Sequence, residues 1–296
     1  MKKELKNKFE TALLKSAIFL FALLPYSATK KIITGLFVFI GYRIGIRKKL
    51  ALRQLRYAFP EKSEDCLKRI AKRMYYLMGQ TAAENFFGND EKLIKESKFT
   101  GFENMEKALA CGKGVILVTA HMGNWELAAK AKAMKGKKLS VVIKALRNKF
   151  FEELTNAQRR KYNMTVIYKK RALRPILKSL ENNETVCFVA DQNARKEGIR
   201  LNVFDHPASV FTGWAKIAAK TGSPIVPGFA YHDNKNRNCF EYLEPVLPPE
   251  NAGKEDVYDL VKKVSRLTEK YIKRHPADWF WVHKRWKGAH QAKTAD

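Results

Sequence analysis

An alternation of short apolar runs with helical segments restricts this chain more than any other feature. GVILVTA (114–120), KLSVVIK (138–144), MTVIY (164–168), TVCFVAD (185–191) and PIVPGFAY (224–231) are β-rich. Between them NWELAAKAKAM, KFFEELTNAQRRKY, LRPILKSLEN and GWAKIAAKTG carry apolar residues at helical spacing. Runs that are apolar at nearly every position have both faces covered, and strands that alternate with helices are joined by crossovers. The expected fold is therefore α/β, a central largely parallel or mixed sheet flanked by helices. An active site in such a sheet opens at the carboxyl ends of its strands. His121, which follows GVILVTA directly, is the first residue to consider.

The alternation is framed by helices. EKSEDCLKRIAKRMYYLMGQTAAENF has Cys66, Ile70, Met74, Leu77 and Met78 on one face and Ser63 as its N-cap. After the Pro-rich loop EPVLPPENAGKED (244–256), VYDLVKKVSRLTEKYIKR reads as a last helix. At the other end, the basic MKKELKNKFE precedes two apolar stretches, ALLKSAIFLFALLP and IITGLFVFIGYRIGI. Neither reaches the roughly 18–20 residues of a bilayer span. Cations flank the pair: Lys2, Lys3, Lys6 and Lys8 before it, and Arg47, Lys48, Lys49, Arg53 and Arg56 after it. This pattern suits helices lying in an anionic membrane surface, where each cation adds about 1 kcal/mol. No small-x-small site marks a cleaved leader. The competing reading is two ordinary buried helices. The division expected is an N-terminal membrane-associating helical segment, 1–48, and an α/β domain, 49–296.

Composition narrows the partners. In 296 residues, 57 Lys and Arg oppose 29 Asp and Glu, a net charge of +28. Such a field attracts nucleic acid, anionic lipid, or an acidic protein or phosphorylated substrate. No helix-turn-helix, zinc-finger or RNP-type motif is present, so nucleic acid is not expected. Cys66, Cys111, Cys187 and Cys239 are scattered without metal-ligand spacing and read as reduced, small apolar residues. No metal is expected.

In GVILVTAHMGNWELA, His121 ends a strand and Glu126 falls in the first turn of the next helix, with Asn124 as its N-cap. The spacing is not the i, i+4 of two zinc ligands on one helix. A carboxylate folding back across the turn would instead hold the imidazole and stabilise its protonated form. No G-x-S-x-G elbow accompanies it, so the histidine would activate a hydroxyl of a substrate. A structural histidine at a strand end remains the alternative.

HMGNWE resembles the H-x4-[DE] motif of glycerolipid acyltransferases, in the form carried by the bacterial lipid A biosynthesis acyltransferases. ALRQLRYAFPEKSEDCLKRIAKRMYYLMGQTAAENF is similar to that family's N-terminal block, VADQN with GIRLNVFDHPASVFTGWAKIAAKTGSPIVP to its central block, and HPADWFWVHKRWK to its C-terminal signature. The likeness implies fatty acyl transfer from an acyl carrier protein thioester to a hydroxyl of a phosphorylated glycolipid. It further implies a membrane-bound monomer on the cytoplasmic face of the bacterial inner membrane, working without a cofactor. It makes His121 the general base and Glu126 its orienting partner, with Asn148, Arg159 and Asp191 as substrate-site residues. Two positions depart from the pattern: Lys144 stands where the family often has Arg, and Asn163 where Gly is usual.

Each of these residues also has a plainer reading. Arg159 lies beside Arg160 and Lys161 and fits a solvated helix face, and Asp191 could cap a turn. Trp279 and Trp281 read as packing residues, and His283, Lys284 and Arg285 as charges at a membrane interface. His206, His232, His275 and His290 have no evident partners in the sequence. The oxyanion donor is expected from an amide near Gly123 or a nearby cation. Two further functions fit the composition: acylation of another lipid, such as a lysophospholipid or glycolipid, and a non-catalytic basic scaffold on a membrane.

Overall fold

The computed structural model describes residues 2–136 and 138–288, with side chains from residue 10 onward. The side chains of Lys2, Lys3, Lys6 and Lys8, and all of His290, lie outside the described residues. The chain opens with α1 (Lys2–Ala22) and α2 (Tyr26–Leu36), which runs on into a π-helical stretch (Phe37–Ile44), and continues through α3 (Lys48–Ala58), α4 (Glu64–Phe87) and α5 (Asp90–Glu96). The alternation follows: β1 (Lys98–Thr100), α6 (Phe102–Ala110), β2 (Val115–Thr119), α7 (Trp125–Met134), β3 (Leu139–Ile143), α8 (Lys149–Lys161), β4 (Thr165–Tyr168), α9 (Leu173–Glu181) and β5 (Thr185–Val189). A hairpin of β6 (Ile199–Val203) and β7 (His206–Val210) leads to α10 (Gly213–Thr221), β8 (Ile225–His232), β9 (Asn238–Tyr242) and α11 (Lys254–Arg274).

Seven strands form one sheet in the order β1-β9-β8-β2-β5-β3-β4. It is mixed: β8, β2, β5, β3 and β4 run parallel, β9 is antiparallel to β8, and β1 is parallel to β9. All five runs marked in the sequence are strands of this sheet. The two faces of β2 explain its continuous apolar character. Val115 and Leu117 join a core with Met105, Leu127 and Ala131 of α6 and α7, while Ile116 and Val118 join one with Ile176, Trp214, Val261 and Val264 of α9, α10 and α11. The chain leaves β2 towards β3 and leaves β5 towards β8, so its connections part on either side of the β2–β5 pair. The carboxyl ends of those two strands are where such a sheet opens a crevice.

Local chemistry matches the elements. Ser63 accepts from Cys66 N–H and caps α4, and Asn124 accepts from Leu127 N–H (3.0 Å) and caps α7. Among the described residues no helix is long and apolar enough to cross a membrane. The reading as two ordinary buried helices does not hold for their outer faces: Leu13, Phe19, Leu20, Leu23, Ile32, Leu36, Phe39, Ile40, Ile44 and Ile46 are exposed. On its inner face α2 packs closely along α4, where a Cβ at Gly79 would come 2.8 Å from Thr34 Cα.

Candidate active site

The turn after β2 is held on several sides. Met122 bridges Trp279, Gly123 N–H donates to Asp278 O (3.1 Å), and Phe280 N–H donates to His121 O (3.1 Å). Gly123 has φ 54°, and a Cβ there would meet the Ala230 carbonyl at 2.6 Å. A segment 158 residues further along the chain than His121, the stretch around Trp279, thus forms one wall of the turn.

His121 is paired with Asp191, and the reason lies in the sheet. The parallel register sets Thr119 beside Val189, so two residues on, past the carboxyl edge, His121 and Asp191 emerge side by side. Nδ1 lies 2.7 Å from Asp191 Oδ1, and Trp279 Nε1–H donates to Oδ2 at 2.7 Å. Burial works to raise the Asp191 carboxyl, but the charge of His121 and hydrogen bonds from His121 and Trp279 outweigh it and hold the group below its ordinary range. An ionised carboxylate only accepts, so Nδ1 carries a proton, and in the neutral ring Nε2 is then the lone-pair nitrogen. The His121 side chain is 24% exposed, enough to meet a substrate, while that of Asp191 is 3% exposed. Trp125 packs edge-on against the ring, centroids 5.2 Å apart.

Glu126 does not hold the imidazole. Its oxygens accept from Arg159, Nε–H to Oε2 at 3.2 Å and Nη2–H to Oε1 at 2.5 Å, and Arg159 Nη1–H donates to Asn156 Oδ1 at 3.0 Å. With Asn124 as N-cap, Glu126 is the second helical residue and turns toward the last turn of α8, where the guanidinium fork meets it at two points. The plainer reading of Arg159 as a solvated residue fails, for its side chain is 12% exposed. Asn148 caps α8, accepting from Phe151 N–H (3.0 Å), and its amide reaches Thr11 Oγ1 of α1 (3.5 Å). Asn163 takes φ 54°, as a residue in place of Gly must, and Lys144 is exposed.

The C-terminal segment differs from its sequence reading in part. Trp279 and Trp281 are buried, as packing residues would be, yet Trp279 also serves Asp191. Arg285 is not an interface charge: it is buried and donates to Ser209 O (2.7 Å), and burial lowers its guanidinium to about 10. His283 is half-buried and its Nε2 accepts from Asn193 N–H (3.3 Å). Burial brings its ring down to about 4, so it is neutral. His232, without an evident partner in the sequence, pairs with Asp278 (2.6 Å), both side chains shut away from solvent. His206 lies 3.2 Å from Tyr57 O, and His275 stacks on Tyr231. Gly123 N–H is taken by Asp278 O and is not open to a substrate oxyanion. The four cysteines are free, and among the described residues no cluster of His, Cys, Asp and Glu has the makings of a metal site.

Fold and site define an α/β protein that carries a histidine–aspartate pair at the carboxyl edge of a mixed sheet. The chain belongs to the bacterial lipid A biosynthesis acyltransferase family, whose model matches residues 5–288. Its relatives include the lipid A biosynthesis lauroyltransferase of Escherichia coli K12, 24% identical with 95% of each chain covered, and the palmitoleoyltransferase of the same organism, 22% identical with 84% of each covered. The phosphatidylinositol mannoside acyltransferase of Mycobacterium tuberculosis is also 24% identical, over 63% of this chain. That match spans 58% of the mycobacterial protein's length, less than two thirds.

Proposed function

We propose that this chain is an acyltransferase that moves a fatty acyl group from an acyl carrier protein thioester to a hydroxyl of a phosphorylated lipid A precursor. The observation that carries the reading is the His121–Asp191–Trp279 array in a chain that matches the family over nearly all its length. His121 Nε2 takes the proton of the acceptor hydroxyl as its oxygen bonds to the thioester carbonyl carbon. The C–S bond then breaks, and the imidazolium returns the proton to the departing thiolate. Asp191 fixes the tautomer and stabilises the imidazolium. Glu126 and Arg159 act together, the carboxylate presenting the guanidinium at the rim, where the acceptor's phosphate or the carrier's acidic surface adds a second anion. Asn148 borders the same side from the start of α8. Oxyanion stabilisation falls to the first-turn amides of α7 at Trp125 and Glu126, which a helix leaves without intrahelical partners.

The exposed apolar side chains between Leu13 and Ile46, with the cations that follow them, support docking in the cytoplasmic face of the inner membrane. Residues 49–296 then form the catalytic domain. The mycobacterial relative's name favours one second reading, acylation of a phosphatidylinositol-based glycolipid.

The test is acyl transfer by the detergent-solubilised protein from labelled acyl carrier protein or acyl coenzyme A, with a tetra-acylated lipid A precursor or a phosphatidylinositol mannoside as acceptor. Product on the first acceptor, lost in His121→Ala with the circular dichroism spectrum unchanged, supports the reading. Product on the second acceptor alone moves the chain to the sister function. Undiminished turnover in His121→Ala rejects the base.

A further inference from the structure

Glu84, near the end of α4, is 1% exposed and faces four donors. Oε2 accepts from the amide groups of Asn124 and Asn238, both at 2.9 Å; Oε1 accepts from Gln80 Nε2 at 2.7 Å and faces the Lys30 ammonium of α2 at 3.5 Å. Four N–H donors thus converge on its two oxygens, which only accept. A buried carboxylate is expensive for a helix seam that apolar residues would fill as well. It sits where α2, β9 and the turn of His121 converge.

Asn124 is engaged through both atoms of its amide. Oδ1 caps α7 and Nδ2 donates to Glu84, so its orientation is fixed. Gly123 and His121 are gripped from the other flank by Asp278 and Phe280. The turn is thus held from two sides, and Glu84 is the hold on the α4 side. We propose that Glu84 is a positioning residue of the active site: through Asn124 it sets the turn that aims His121, and Lys30 ties that hold to α2. The proposal rests on the acyl-transfer reading for its activity assay but not for its structural readout.

The experiment is an exchange of partners. Glu84→Gln sets an amide against amide donors, and Asn124→Asp sets a second carboxylate against Glu84. In the double variant, Gln at 84 donates to Asp at 124, whose other oxygen still caps Leu127. Asn238 then turns its amide to present Oδ1, which has no partner in the native arrangement. Each single variant is expected to lose on the order of 10- to 100-fold in kcat, the scale of a small misplacement of a reacting group, with KM for the acyl donor unchanged. The double variant is expected to recover to within about threefold of wild type. Assays are run well below each variant's melting temperature. Wild-type kcat in Glu84→Gln, or a double variant no better than the poorer single, overturns the proposal. The 1H–15N signals of the His121 ring, assigned by their loss in His121→Ala, supply a readout independent of turnover. They should move in both singles and return in the double. If wild type acylates no acceptor offered, the functional reading fails and the ring signals alone decide the role of Glu84.

Discussion

Asp191 has two neighbours with fixed demands, and that makes its replacement informative. The Trp279 indole N–H can only donate. An Asn at 191 therefore turns its oxygen to Trp279 and its NH2 to His121, which forces the imidazole proton onto Nε2 and removes the lone pair a base needs. Asp191→Asn is expected to lower kcat by up to about 10,000-fold, the cost of a wrong tautomer in such an array. Adding Trp279→Phe frees the amide to rotate, so the double variant should be more active than Asp191→Asn alone. A double variant as inactive as the single, both folded, would show that the tautomer is not what Asp191 supplies. His121 was legible in the sequence because it follows an apolar run directly. Its partner was not, since a sequence offers the near carboxylate, Glu126, whereas the contact is made across the β2–β5 ladder 70 positions away. Arg285 was misread for a related reason: a cation in a terminal segment looks like surface until that segment is seen to pair with Met122.

Among elements, the seam between α2 and α4 is closely packed, and two glycines test it. Gly79→Val places side-chain carbon against the Thr34 backbone and should cost about 1–3 kcal/mol as the helices part, read as a lower urea midpoint. Gly35, also on α2, has nothing within 4 Å of its would-be Cβ. Gly35→Ala should instead gain about 0.5–1 kcal/mol from helix propensity. Equal effects at the two positions would mean that the seam is not closely packed. The five strands found from sequence were those apolar on both faces. The β6–β7 hairpin was missed because its two-residue loop, Phe204–Asp205, has the positive φ of a tight turn (51° and 60°) without the Asn-Gly or Asp-Gly that usually marks one. β1 has only three residues, too few to show a period. β9 reverses the sheet's direction after a polar loop, which a reading by alternation alone does not anticipate.

At the scale of the molecule, charge and pH act on all parts together. The unfolded chain takes up a proton at His283 near pH 6.5, whereas the folded chain refuses it until about pH 4. The unfolded state thus binds more protons in that window, so stability falls as pH drops from 6.5 to 4. Asp191, lowered in the folded state, adds stability that is present above about pH 3.9 and is lost below it. The melting temperature should decline between pH 6.5 and 4, and less steeply in His283→Gln, which keeps an acceptor for Asn193 N–H. Equal slopes would remove His283 as the cause. The +28 field should make kcat/KM toward an acidic carrier fall steeply as salt rises from 0.05 to 0.5 M, while a neutral thioester of the same acyl chain is little affected. The bridge between Met122 and Trp279 has a consequence in time. On a ribosome the helices of residues 1–48 are made well before the wall of the His121 turn, which the stretch around Trp279 supplies. The turn that carries His121 therefore stays open on that side until the segment around Trp279 has been made, and its final shape is among the later ones the chain acquires.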